Sequence, residues 1–109
     1  MLAEAHRHAA EEIENTILLI QANETAARVV IESAWGAAFH WICFGCATKH
    51  NNHQESHARL GRFLHTLEEG SVARWWEFLD RIRQGGWYGG HTDPVIVQRA
   101  LTLLENIRL

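Results

Sequence analysis

The run Ala34-Trp35-Gly36-Ala37-Ala38-Phe39-His40-Trp41-Ile42-Cys43-Phe44-Gly45-Cys46 decides how this chain folds. Between Glu32 and Lys49 no residue carries a formal charge, so a helix here has no face that prefers water and must be buried on nearly all sides. The uncharged run, Ser33 to Thr48, covers 16 residues and contains His40. That is short of the roughly 20 apolar residues that span a bilayer, and a central core helix reaching about His50 is expected instead. Ala34, Gly36, Ala37 and Ala38 keep part of its surface thin, while Trp35, Phe39, Trp41 and Phe44 project bulk in several directions. Neighbouring helices can approach the thin side closely. Wrapping one helix completely is difficult for 109 residues, so a second copy of the protein is expected to cover part of it.

Outward from this run, the periodicity is helical throughout. Upstream, Ala9, Ile13, Ile17 and Ile20 alternate with Glu4, Arg7, Glu11, Glu12 and Asn15 at the spacing of an amphipathic helix from Leu2 to about Ala22. Asn23 supplies a cap for the central helix, with Glu24 placed to favour its dipole. At ~1.5 Å per residue the two helices are about 30 to 40 Å long and suit an antiparallel pair. Downstream, Asn51 to Glu55 reads as a loop and Ser56 as the cap of a helix carrying Leu60, Phe63, Leu64 and Leu67, closed by a left-handed Gly70. Ser71 is expected to cap the next helix, which buries Val72, Trp75, Trp76, Leu79 and Ile82 and closes at Gly85-Gly86. Residues 87–92 read as a loop, and Asp93-Pro94 opens a last helix lined by Val95, Val97, Ala100, Leu101, Leu104 and Ile107. No segment alternates with period two. The expected fold is a single all-α domain over residues 1–109, an up-and-down bundle of four long helices plus a shorter one.

Composition narrows the function classes. With 47% hydrophobic and 21% charged residues the chain is neither disordered nor of low complexity. The net charge of -3 gives no global attraction for nucleic acid, but five of the eight histidines fall between His40 and His65, so a local basic surface is expected. The N-terminal residues lack the basic start and apolar stretch of a secretory signal, which points to the cytoplasm and to no membrane. Two cysteines make no disulfide framework, and reduced thiols are expected.

The stretch Ala34-Trp35-Gly36-Ala37-Ala38-Phe39-His40 resembles the Ala-Tyr-Tyr-Ala-Ala-Phe-His of the second helix of HEPN domains. A preceding amphipathic helix, the lysine and histidine stretch Lys49 to His57, a shorter helix, Arg83-Gln-Gly-Gly-Trp-Tyr88-Gly89 and a final helix follow the family's order over nearly the whole chain. The resemblance implies a helical bundle that dimerises and sets the arginine motif of both subunits at a shared cleft. Some members are metal-independent ribonucleases with a histidine about four to six residues after the arginine, often toxins paired with a small nucleotidyltransferase. Others lack the histidine and bind nucleotides or partners.

The chemistry of individual positions separates these readings. Five residues after Arg83 stands Tyr88, and the next histidine, His91, lies outside the family's spacing. A tyrosine with a reference pKa of ~10 donates hydrogen bonds but seldom acts as a base at neutral pH. The expected function is a non-catalytic dimeric module for a nucleotide, RNA phosphate or a nucleotidyltransferase partner, in the manner of toxin–antitoxin pairs. The expected phosphate ligands are Arg83, Tyr88, Arg81, His57, His53 and Arg59. Two alternatives stand beside it: a ribonuclease using Arg83 with His91 or His57, and an interaction protein with no ligand. Arg81 and Arg83 also suit a helix C-terminus without any ligand, and a solvated face accounts equally for the basic cluster. Cys43, Cys46 and His50 share a helical face, but a rigid helix rarely converges three ligands on one ion, so neither zinc nor any cofactor is expected. His40 reads as a packed histidine with a hydrogen-bonded ring nitrogen. Trp75, Trp76 and Trp87 are the expected dimer contacts, since adjacent tryptophans point about 100° apart and cannot share one core stripe.

Overall fold

The computed structural model describes residues 2–20, 27–52, 56–88 and 94–108. It is all-helical, with α1 at Ala3–Ile20, α2 at Ala27–Lys49, α3 at His57–Thr66, α4 at Gly70–Tyr88 and α5 at Pro94–Arg108. The expected caps Asn23 and Asp93 and the residues His53 and His91 lie outside the described residues.

Lacking a charged face along most of its length, α2 packs against three helices, α1, α4 and α5. Val30, Ile31, Ala34, Ala37, Ala38, Ile42, Cys43 and Cys46 of α2 are buried on more than one side. By length and composition Val29–Lys49 could also cross a membrane; in this fold its apolar residues supply the protein core. α1 runs antiparallel to α2, with His6 facing His40 and Ile13 lying over Gly36. Its inward line is His6, Ala10 and Ile17, so Ala10 rather than Ala9 takes the buried place. The imidazole pair joins the two helices: His6 Nδ1 and His40 Nδ1 are 2.8 Å apart, one donating and the other accepting.

Three helix boundaries differ from the expected ones. α3 closes at Leu67, and the left-handed residue is Glu68 at φ 61°, not Gly70. The Glu68 amide donates to the His65 carbonyl and the Glu69 amide to the Leu64 carbonyl, the paired bonds that satisfy a helix C-terminus. Once these bonds turn the chain, Gly70 is free to start α4. Ser71 consequently lies inside the first turn, where its hydroxyl accepts from Arg74. Ser56 does occupy the N-cap position of α3, but its side chain makes no capping bond. At the far end α4 continues through Gly85 and Gly86 to Tyr88. Two glycines weaken a helix by about 1 kcal/mol each, a penalty that does not by itself end one.

In α5 the stripe Ala100, Leu104 and Ile107 is buried, whereas Val95 is 72% exposed. Val95 falls about 140° round the helix from Ala100, and it is not a core residue as its apolarity implied. α3 packs on α4 through Leu60 and Leu64, and α4 returns Ala73, Trp76 and Leu79 to the core.

The thin side of α2 is sensitive to size. Ala38 is fully buried, and Ala38→Leu is expected to destabilise the fold by about 1–3 kcal/mol through overpacking. A β-carbon at Gly36 would meet only Ile13 Cδ1, at an ordinary 3.7 Å. Gly36→Ala should therefore be neutral or stabilising by about 0.5–1 kcal/mol. Urea unfolding followed by circular dichroism checks both.

Candidate functional site

The indole of Trp35 on α2 gathers side chains from α3 and α4. Its Nε1–H donates to Asp80 Oδ1 at 2.9 Å, and its ring stacks on Trp76 with centroids 5.4 Å apart. The guanidinium carbon of Arg83 lies 4.1 Å from the Trp35 ring centroid, the cation–π arrangement that favours arginine over an electron-rich face. The His57 ring stands edge-on to Trp35 at 4.5 Å and to Phe39 at 4.3 Å. Arg83 and His57, 26 positions apart in sequence, thus meet on one aromatic surface.

Arg83 is also engaged with acids. Its Nε donates to Glu32 Oε2 at 3.2 Å, and its Nη1 lies 3.9 Å from Asp80 Oδ1. These groups are part-exposed, so the pairs contribute about 1 kcal/mol or less to stability. Their geometric effect is larger, because they tie the end of α4 to the start of α2. A ligand phosphate at Arg83 would compete with Glu32.

Burial against the two aromatic rings holds the His57 pKa below the ordinary histidine value, and the nearby Arg83 charge lowers it further while Asp80 opposes them. His57 is therefore neutral at pH 7, a form able to accept a proton or a hydrogen bond.

His57 also lines a cleft of about 590 Å³ between α3 and α4, together with Gly61, Arg62, His65, Glu77, Asp80 and Arg81. The cleft's acids are occupied. Glu77 Oε1 accepts from His65 Nε2 at 2.8 Å, and Asp80 accepts from Trp35 and from Gln84 Nε2. Arg62 and Arg81 have no carboxylate partner among the described residues. Arg81 instead lies 5.4 Å from the Phe78 ring centroid.

Of the expected phosphate ligands, His57 and Arg81 line this cleft, Arg83 sits beside it on Trp35, and Arg59 is exposed on α3. His53 and the Tyr88 side chain lie outside the description. Arg62 was not among the expected ligands; five positions from His57 it falls about 140° round α3, so helical periodicity gave no signal that the two would line one cleft. Nothing local in the sequence indicates that Asp80 would accept the Trp35 bond across 45 positions.

The remaining candidates disperse. Cys43 and Cys46 are buried and form no disulfide, and burial pushes the Cys46 thiol up to about 11, away from the thiolate that metals and electrophiles require. His50 faces Glu69 at 3.5 Å, beside Lys49 at 2.6 Å from the same oxygen. Among the described residues no group of three His, Cys, Asp or Glu is placed to hold a metal ion. Trp76 is 2% exposed and packs on Trp35 in the core, leaving it no surface for a partner. Trp75 is half-buried, and the Trp87 side chain is outside the description.

Compared with protein-family models, curated proteins and solved structures, the chain has no match.

The His57 environment has a measurable pH signature. A depressed folded pKa means the unfolded chain binds the proton more readily, so this stabilisation is present above the unfolded pKa of ~6.5 and is lost as pH falls through the folded value. In an NMR titration the His57 ring should titrate below free histidine. Arg83→Gln should move it upward, and Asp80→Asn should move it further down. A midpoint unchanged by both substitutions would contradict the arrangement around Trp35.

Proposed function

We propose that this protein is a HEPN-like, non-catalytic binding module that works as a homodimer and takes the phosphate of a nucleotide or RNA in the cleft between α3 and α4. The observation that carries this reading is the convergence of His57, Arg62 and Arg81 from two helices on one recess whose own carboxylates are already hydrogen-bonded. Guanidinium groups match phosphate geometrically, and the neutral His57 can donate or accept a hydrogen bond at its rim. The HEPN-like, up-and-down arrangement of the four long helices rests on the motif residues around Trp35 and Arg83. In such a module a small nucleotidyltransferase is the fitting protein partner, and the protein works in the cytoplasm. Support for the homodimer comes from apolar surface left at Leu18, Leu19 and Val29, which are 67%, 85% and 53% exposed, and from the half-buried Trp41 and Phe44 of α2.

A ribonuclease reading is favoured by a different observation, the meeting of Arg83 and His57 on Trp35. His57 would accept the 2′-hydroxyl proton, and Arg83 would stabilise the charged phosphate. The engagement of Arg83 by Glu32 and Asp80 weighs for binding over turnover.

Two measurements separate these readings. Calorimetric titration with uridine monophosphate should show binding that Arg62→Gln weakens, by about tenfold if one charge-assisted contact is lost. Pure wild-type protein should leave single-stranded RNA intact. Cutting that both Arg83→Ala and His57→Ala abolish would install the enzyme reading in place of the module. Light scattering at micromolar concentration should report a dimer, since an interface of about 1,600 Å² usually persists there.

A further inference from the structure

The arginine side chains that the structure describes divide into two groups. Arg7, Arg83 and Arg108 are paired with carboxylates, and Arg74 lies on the Ser71 hydroxyl. Arg59, Arg62, Arg81 and Arg99 have no carboxylate partner among the described residues and lie on the consecutive helices α3, α4 and α5. Three of them, Arg62, Arg81 and Arg99, are joined in space. Arg62 and Arg81 line the same cleft, and Arg81 and Arg99 approach one ring, that of Phe78, at 5.4 and 5.7 Å. Phe78 is 37% exposed, an unusual place for a phenylalanine whose helix has a core side available. Arg99 also lines a recess of about 520 Å³ with Val95, Gln98 and Thr102, none of them a carboxylate.

We propose that this strip, from Arg62 across Phe78 to Arg99, is a track for single-stranded RNA, with a base on Phe78 and phosphates on the flanking arginines. The inference rests on the cleft reading above and extends it from one phosphate to a polynucleotide. Cations on three helices, with no carboxylate partner among the described residues, suit a ligand that carries charge at regular intervals. An exposed aromatic ring among them suits one that also presents flat apolar faces. A single strand supplies both, phosphates for the guanidiniums and bases for the ring. A mononucleotide fills the α3–α4 cleft alone and leaves Phe78 and Arg99 uncovered. An acidic peptide answers the charge but offers no flat face at each repeat. The overall charge of -3 makes the effect local, so binding is expected to weaken steeply with salt.

The test uses fluorescence anisotropy with a labelled oligouridylate of about 12 nucleotides, with uridine monophosphate and an oligoglutamate peptide as comparison probes. The oligonucleotide should bind at least tenfold more tightly than the mononucleotide. Phe78→Ala should weaken oligonucleotide binding about fivefold or more, as loss of one stacked base implies, while leaving mononucleotide binding unchanged. Arg99→Gln should lower the slope of log affinity against log salt by about 0.7, the share of one single-strand phosphate contact. Phe78→Leu keeps apolar packing without the ring and should weaken binding as the alanine does, which separates stacking from folding. Equal affinity for the two nucleotide probes overturns the track. So does oligonucleotide binding indifferent to Phe78→Leu and Arg99→Gln; if Arg62→Gln still weakens it, the cleft reading survives alone. Binding of the oligoglutamate in place of RNA overturns the track in favour of an acidic protein partner, and failure of both nucleotide probes removes the cleft reading as well.

Discussion

Burial of the Trp35 indole is the constraint on which the arrangement of α3 and α4 depends. A large amphipathic ring set into the most apolar helix needs an acceptor for its N–H, because a buried donor left unpaired costs about 1–3 kcal/mol. Asp80 supplies it from α4, and Trp76 covers the ring one turn earlier on the same helix. Those two contacts set the register of α4 against α2. Arg83 follows on the same side of α4 as Asp80, and His57 at the start of α3 completes the surround. The site is therefore assembled by the core itself. A substitution at Trp35 would disturb the core and the positions of His57 and Arg83 together.

Electrostatics divides the surface. Around α1 and the two ends of α2, charges are neutralised locally: Glu4 and Glu11 hold Arg7, and Lys49 hydrogen-bonds Glu69 and holds that carboxyl below its ordinary range. Such pairs add little stability, but they leave those surfaces without net attraction for an anion. On α4, Asp80 and Glu77 accept bonds from Trp35, Gln84 and His65, and Arg59, Arg62, Arg81 and Arg99 have no carboxylate partner among the described residues.

Helix existence was legible because periodicity and charge gaps report burial directly. The uncharged run from Ser33 to Thr48 became the central helix, and Leu60 with Leu64 and Ala100 with Leu104 and Ile107 became buried stripes. Boundaries were less legible. Gly70 and Gly85-Gly86 were read as stops, yet backbone bonding at Glu68 ended α3, and α4 ran on to Tyr88. Glycine permits a turn, but it does not impose one. His6 stood outside the apolar stripe read for α1 and is 1% exposed, its ring nitrogen paired with His40 across the helix pair.

By itself the sequence determined the all-helical class, the identity of the central helix and the antiparallel pairing of its first neighbour, since these follow from spacing along one chain. It also placed most of the basic residues between Lys49 and Arg83. Tertiary structure alone decided which of them act together. Arg81 and Arg83 are two residues apart, about 200° round the helix, and so serve different surroundings, one beside Phe78 and the other on Trp35. Arg62, Arg81 and Arg99 come from three helices, and only the packing of α3 and α5 on α4 brings them to one side. Periodicity records which face of a helix is buried, but the partner across that face is chosen by three-dimensional packing, and the charge left unpaired depends on that choice.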